Sequence, residues 1–200
     1  MIPSPAGPSI VLVRHGETEW SRDHRHTSVT DVDLTDLGRE QARRVGSVLD
    51  PDRFGLVVSS PRVRALRTAA LAGFDAPTVL DDLAEWAYGD IEGRTTQEIS
   101  AEVGHPWSVW TARPPDPVPA ESVEELGRRA DAVVARLRTA TDGGADVLVF
   151  SHAHFLRVLA CRWVELPAIE GRRLALSTGS IGTLGFEHAA PVITRWNLVP

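Results

Sequence analysis

A single cysteine, Cys161, stands in a chain of 200 residues, so no internal disulfide can form. Its place in an apolar helical pattern marks a buried, inert thiol rather than a nucleophile. No apolar run approaches the ~20 residues that a membrane span needs. The Pro-, Gly- and Ser-rich opening, Met1 to Ser9, has neither the basic n-region nor the apolar h-region of a signal peptide. Residues 1–8 are therefore expected to form a flexible tail, and the cytoplasm is the default location. Positive charge is also in short supply. A formal net charge of -6 excludes a general electrostatic grip on nucleic acid or on an anionic membrane. Attraction for an anionic ligand has to come from local clusters of Arg and His.

What is present is the composition of an ordinary globular protein, 42% hydrophobic and 24% charged, which is enough to fold without a partner. The length suits one domain over residues 9–200, and a homodimer is the default assembly. Three short β-branched runs, Ile10 to Val13, Leu56 to Val58 and Val147 to Phe150, read as buried strands. Each is followed by helical patterning. Thr35 caps a helix whose Leu37, Ala42, Val45 and Leu49 recur at helical spacing until Pro51. Ser60 is placed to cap the next, with Pro61 at its first position, Ala65, Leu66, Ala69 and Ala70 facing inward and Gly73 ending it. Ser122 and Glu125 form a capping box for a long helix carrying Leu126, Ala130, Val133, Val134 and Leu137. Ala153 to Val164 is a further helix, and Ile181 to Phe186 with Val192 to Trp196 is a closing strand pair. The stretch from His105 to Ala120, with five prolines, reads as the irregular heart of a surface excursion at about 94–121 that could border a cleft. Alternating strands and helices imply an α/β fold, a three-layer sandwich with a mostly parallel sheet and helices on both faces. Ligands collect at the carboxyl ends of such strands.

Arg14 with His15, Arg62, and His152 all fall at those ends. Arg suits phosphoryl oxygens because its planar fork bonds two at once. A neutral imidazole can attack phosphorus when its other ring nitrogen is held by a hydrogen bond, a role that His15 fits. His152, if protonated, could stabilise charge building up on the transferring group. A departing alkoxide needs a proton, and Glu85, beside the apolar Trp86, is the carboxyl group chosen to give it and then to activate water. Taken singly each of these has a plainer reading as a structural His, a solvated Arg or a surface Glu. Together, at neighbouring strand ends, they point to phosphoryl transfer.

The carrying segments are Leu12 to Trp20 (LVRHGETEW), Asp33 to Gly38 (DLTDLG), Ser59 to Thr68 (SSPRVRALRT), Glu85 to Gly93 (EWAYGDIEG), Ala120 to Val123 (AESV) and Val149 to His152 (VFSH). In them the chain resembles the histidine phosphatase superfamily, in its phosphoglycerate-mutase-like branch, over nearly its whole length. The resemblance implies that His15 is phosphorylated, that Arg14, Arg62 and His152 complete the phosphate pocket, and that Glu85 donates the proton. It further implies that Ser21, Thr27, Ser28 and Tyr88 line the pocket. Departures from the pattern are Ser21 for Asn, Ser28 for Gly and Ala153 for Gly, the last bringing a methyl group against the phosphate.

The family contains mutases and phosphatases. Mutases carry an Arg pair and a Lys on a longer insertion to hold the second charged end of a phosphoglycerate. Here that region offers only Arg94 and Arg113, and Arg128 with Arg129 reads as the solvated face of the long helix, so a phosphatase is expected. Its substrate would be a small phosphorylated metabolite, with no cofactor. Trp86, Trp107 and Trp110 could wall an apolar subsite or simply pack in the core. The alternatives are a mutase, a protein that binds phosphate without catalysis, and a metal-dependent hydrolase using the pairs His24 and His26 or His152 and His154. No carboxylate or Cys set completes either pair, so no metal is expected.

Overall fold

The computed structural model describes residues 7–111 and 120–200. In chain order the strands and α-helices are β1 (Ile10–Arg14), α1 (Glu19–Arg22), α2 (Asp36–Val48), β2 (Phe54–Ser59), α3 (Val63–Leu71), β3 (Thr78–Val79), α4 (Thr96–Val103), α5 (Val123–Asp142), β4 (Asp146–Ser151), α6 (Ala153–Trp163), β5 (Ile181–Glu187) and β6 (Ala190–Leu198). They build one six-stranded sheet in the order β3-β2-β4-β1-β5-β6. The first four strands are parallel, while β5 and β6 close the sheet antiparallel.

Alternation along the central strands decides which helix covers which face. Ile10 and Leu12 of β1, with Val147 and Val149 of β4, pack with Leu126, Val133 and Leu137 of α5 and Leu156 and Leu159 of α6. The intervening Val11, Val13, Leu148 and Phe150 pack with Val45 of α2 and Ala69 of α3. Both faces are therefore apolar and covered, which is why the central strands read as unbroken hydrophobic runs. No helix among the described residues is long and apolar enough to cross a membrane.

Most helix starts follow the expected chemistry. Thr35 accepts from Gly38 N at the start of α2, and Ser122 with Glu125 forms a reciprocal capping box on α5. A second box, Thr95 with Glu98, opens α4, a helix the sequence reading passed over. The start of α3 differs. Its N-cap is Arg62, with no side-chain cap of its own; Ser60 N extends the sheet ladder to Phe150 O, and the Ser60 hydroxyl accepts both from Arg62 N and from His152 Nε2. The helix turns inward on Arg64, Ala65, Thr68 and Ala69 rather than on Leu66 and Ala70. On α2 the buried stripe is Gly38, Ala42 and Val45, which leaves Leu37 half exposed at 50%. Gly73, at φ 92°, ends α3 as expected.

The tail expected over residues 1–8 falls mostly outside the described residues, and so does the run containing Pro114, Pro115, Pro117, Pro119 and Arg113. The part of the excursion that is described is not a surface feature throughout. Trp107, Val109 and Trp110 turn into the core beside Trp86 and Ile99, because three large apolar side chains outweigh the irregular backbone that carries them.

Candidate active site

Parallel pairing of β1 with β4 sets Arg14 opposite Ser151. The ladder runs one step further, with His15 N donating to Ser151 O at 3.0 Å. His15 and His152 thereby emerge side by side, their rings edge to face with centroids 5.2 Å apart. The His15 loop is gripped by its neighbours. Gly16 N donates to Thr68 Oγ1 on α3, and a Cβ on Gly16 would lie 2.3 Å from the Gly38 carbonyl oxygen at the start of α2. Only glycine permits that approach.

His15 Nδ1 lies 2.7 Å from Gly16 O. A carbonyl oxygen can only accept, so Nδ1 carries the proton and Nε2 presents a lone pair. Burial, then the charges of Arg64 and Arg14, hold this imidazole well below its ordinary pKa. It stays neutral and nucleophilic.

His152, fully buried, is fixed in the opposite sense. Arg64 Nε donates to its Nδ1 at 3.2 Å, leaving Nε2–H to donate to Ser60 Oγ at 2.7 Å. Burial, then the charge of Arg64, also depresses its pKa well below the usual value. The expectation of a protonated His152 is therefore corrected. Its ring is a neutral donor, because a guanidinium occupies the nitrogen that a second proton would need.

Arg64 is the residue sequence reading missed. Fully buried, it donates to His152 and to the carbonyl oxygens of Thr27, Ser28 and Thr30. It thus ties α3 to the loop after α1. Arg62, chosen from the sequence, stands at the N-cap of α3 and acts on His152 through its charge alone. The available signal was helical spacing. Arg64 is four residues before Thr68, on the same inward face as Ala65.

Glu85 is buried, at 6% exposure. Its carboxylate accepts from Trp86 N (3.0 Å), His154 N (3.0 Å) and Phe155 N (2.8 Å). It caps the N-terminus of α6 by accepting from the free N–H groups of the helix's first turn. Arg129 braces its backbone, donating to Ala84 O at 2.7 Å and Glu85 O at 3.3 Å while pairing with Glu121 at 2.7 Å. This corrects the solvated-face reading of Arg129. Arg128, its side chain 70% exposed, keeps that reading.

Arg14, His15, Glu85 and Ala153 meet in a cavity of about 270 Å³. Ser21, Thr27 and Tyr88 also line it. Ser28 does not; it is buried behind the cavity, donating from N to Glu92 and from Oγ to Glu85 O. Of the three tryptophans named above, Trp110 reaches the cavity, whereas Trp86 and Trp107 stay in the core. Arg14 is partly buried and donates from Nη1 to Leu176 O at 2.6 Å. Burial lowers its pKa to about 10, partly opposed by Glu85 and Tyr88, so it remains cationic at neutral pH. The Nε groups of Arg14 and Arg62 are buried without a protein partner. A buried guanidinium N–H left unpaired is costly, and an anion that accepts from it removes the cost.

Comparison with known proteins follows the same lines. The family model described as "Histidine phosphatase superfamily (branch 1)" matches residues 10–199. An acid phosphatase of Mycobacterium tuberculosis is 47% identical over 185 residues, 90% of this chain and 87% of its own length. Sedoheptulose 1,7-bisphosphatase of Saccharomyces cerevisiae is 33% identical over 188 residues, 80% of this chain and 68% of its own. The solved structure of the product of open reading frame Rv3214 of Mycobacterium tuberculosis superposes with a TM-score of 0.88 at 43% identity, covering 96% of this chain and 98% of that one.

Proposed function

The chain belongs to the histidine phosphatase superfamily, branch 1, and from that premise we propose that it hydrolyses small phosphomonoesters through a phosphohistidine formed at His15. It is a histidine-type phosphatase with the phosphoglycerate-mutase-like fold. The observation that carries the intermediate is the hydrogen bond from His15 Nδ1 to Gly16 O, which leaves Nε2 as a buried nucleophile among arginines.

In the first step His15 Nε2 forms a bond to phosphorus, and the bond from phosphorus to the alcohol oxygen breaks. Arg14, whose Nε has no protein partner, bonds the equatorial oxygens, while Arg64, its donors held by His152 and the loop, contributes its buried positive charge beside them. Arg62 adds positive charge at the margin. Glu85 in its acid form gives its proton to the departing alkoxide. In the second step the resulting carboxylate takes a proton from water. The hydroxyl oxygen bonds to phosphorus, the P–N bond breaks, and inorganic phosphate leaves with His15 restored. Every group involved belongs to the chain, so no metal is required, and activity should persist in excess chelator. Ser21, Thr27, Tyr88 and Ala153 line the same cavity. The single buried free thiol, Cys161, suits the cytoplasm.

Isomerisation of a phosphoglycerate is the alternative reading. Against it stands the absence of lysine anywhere in the chain, since a mutase must hold a second anionic end while the phosphate moves. Rapid acid-free quenching during turnover, followed by mass analysis, should find one phosphoryl group on the peptide containing His15. Its absence from wild type, or unchanged turnover in a folded His15→Ala variant, overturns the proposal. Efficient conversion of 3-phosphoglycerate to 2-phosphoglycerate would favour the mutase.

A further inference from the structure

Beyond the phosphate end, the same cavity is lined by rings that the chemistry above does not use. His26 and His154 stand 6.5 Å apart and nearly parallel, at 25°. Trp110 meets His154 edge to face at 5.1 Å. All three line the cavity. None is loose. Tyr88 OH is hydrogen-bonded to His154 Nδ1, Thr96 Oγ1 lies 3.3 Å from His26 Nε2, and Arg157 lies over the Trp110 ring at 4.8 Å while its Nε donates to Gly171 O. His154 Nε2 has no such partner among the described residues, leaving a polar ring atom for a ligand.

Among the described residues, positive charge at this end is already committed. Arg14 serves the phosphate. Arg25, the other arginine lining the cavity among the described residues, donates to Gly93 O at 2.6 Å and faces Glu98 at 3.7 Å. Burial is the main cause that keeps both imidazoles neutral, His26 down to about 4 and His154 well below its ordinary value. A carboxylate or second phosphate entering here would lose its water without gaining a counter-charge. A neutral ring would instead meet ring surfaces, with hydroxyls at Ser108 and Thr96 for its own polar groups.

Building on the phosphatase reading, we propose that His26, His154 and Trp110 form a leaving-group subsite that selects phosphomonoesters of uncharged, ring-bearing alcohols over those carrying a second anionic group. Cyclohexyl phosphate and 3-phosphoglycerate are both esters of alkyl alcohols and differ in ring against carboxylate. By calorimetry, His15→Ala protein, which cannot turn over, should bind cyclohexyl phosphate at least about tenfold more tightly than 3-phosphoglycerate. Adding His154→Ala or Trp110→Leu should shrink that ratio to within about threefold, and Trp110→Phe, which keeps a ring, should restore most of it. The wild-type kcat/KM ratio reads the same preference should His15→Ala not fold.

Equal binding of the two ligands, tighter binding of 3-phosphoglycerate, or variants that weaken both ligands alike would overturn the subsite. A protein that shows the preference yet hydrolyses neither ester would overturn the phosphatase reading and leave the subsite standing. Hydrolysis of both without preference would do the reverse.

Discussion

Glu85 has two tasks, and they can be separated by choice of leaving group. As proton donor it matters only when the alkoxide needs a proton. Glu85→Gln should therefore lower kcat on alkyl phosphates by about 10²-fold or more, and much less on 4-nitrophenyl phosphate, whose phenolate leaves unaided. An equal loss on both would remove the proton-donor role. As the side chain capping α6 it also stabilises the fold, so the same variant should lose about 1 kcal/mol in urea unfolding. Arg64 is the other residue with two tasks. Arg64→Met strips the donors from three loop carbonyl oxygens and from His152 Nδ1. An expected cost of about 2–4 kcal/mol follows from leaving these buried acceptors unpaired. Turnover should fall as well, and Arg64→Lys, which keeps charge but not the fork, should recover stability better than rate. Wild-type stability in Arg64→Met would show that those bonds carry little.

Two elements meet at glycine contacts beside the nucleophile. A Cβ on Gly38 would lie 2.1 Å from Glu17 O, backbone that cannot swing aside. Gly38→Ala should push α2 off the His15 loop, costing on the order of 1–3 kcal/mol by overpacking and lowering kcat together with stability. Thr35→Ala, one turn earlier, removes the cap of the same helix and a side-chain bond to Glu17 but introduces no clash, and the backbone bond from Thr35 N to Glu17 O remains. It should cost about 1 kcal/mol with kcat nearly unchanged. If both variants behaved alike, the loop contact would not be what positions His15.

Four histidines, the buried His15, His26 and His152 and the partly buried His154, have depressed pKa values in the folded state. Unfolding releases them to titrate near the ordinary value of about 6.5. Between that value and their folded pKa values the unfolded chain binds more protons, so stability falls as pH falls. For His26 the window runs from about 6.5 down to about 4. Each histidine contributes a slope of up to about 1.4 kcal/mol per pH unit within its window. The melting temperature should thus drop steadily below pH 6.5, and a flat profile from pH 7 to 5 would contradict the burial assigned to these rings. While the fold survives, the low pKa of His15 keeps the nucleophile neutral, so turnover should extend into mildly acidic solution.

The strands, the main helices and four of the side chains gathered at the candidate site were legible in the sequence. Hydrophobic runs mark buried strands, Thr35 and Ser122 announce helix starts, and a strand's last residues fall at its carboxyl end. Arg14, His15 and His152 follow from that placement, and Glu85 from the motif around it. The choice of Arg64 rather than Arg62 beside His152 was settled by tertiary structure, because a two-residue shift in the start of α3 rotates which side chain faces inward, and the Ser60 hydroxyl is shared between Arg62 N and a histidine ninety-two residues along the chain. The neutral state of His152 was decided in the same way, since its Nδ1 partner comes from another element. So was the fate of the tryptophans: sequence shows three large rings, whereas only packing determines that Trp110 reaches the cavity while Trp86 and Trp107 remain in the core. Local chemistry is written residue by residue, but charge state and facing depend on neighbours that only folding brings together.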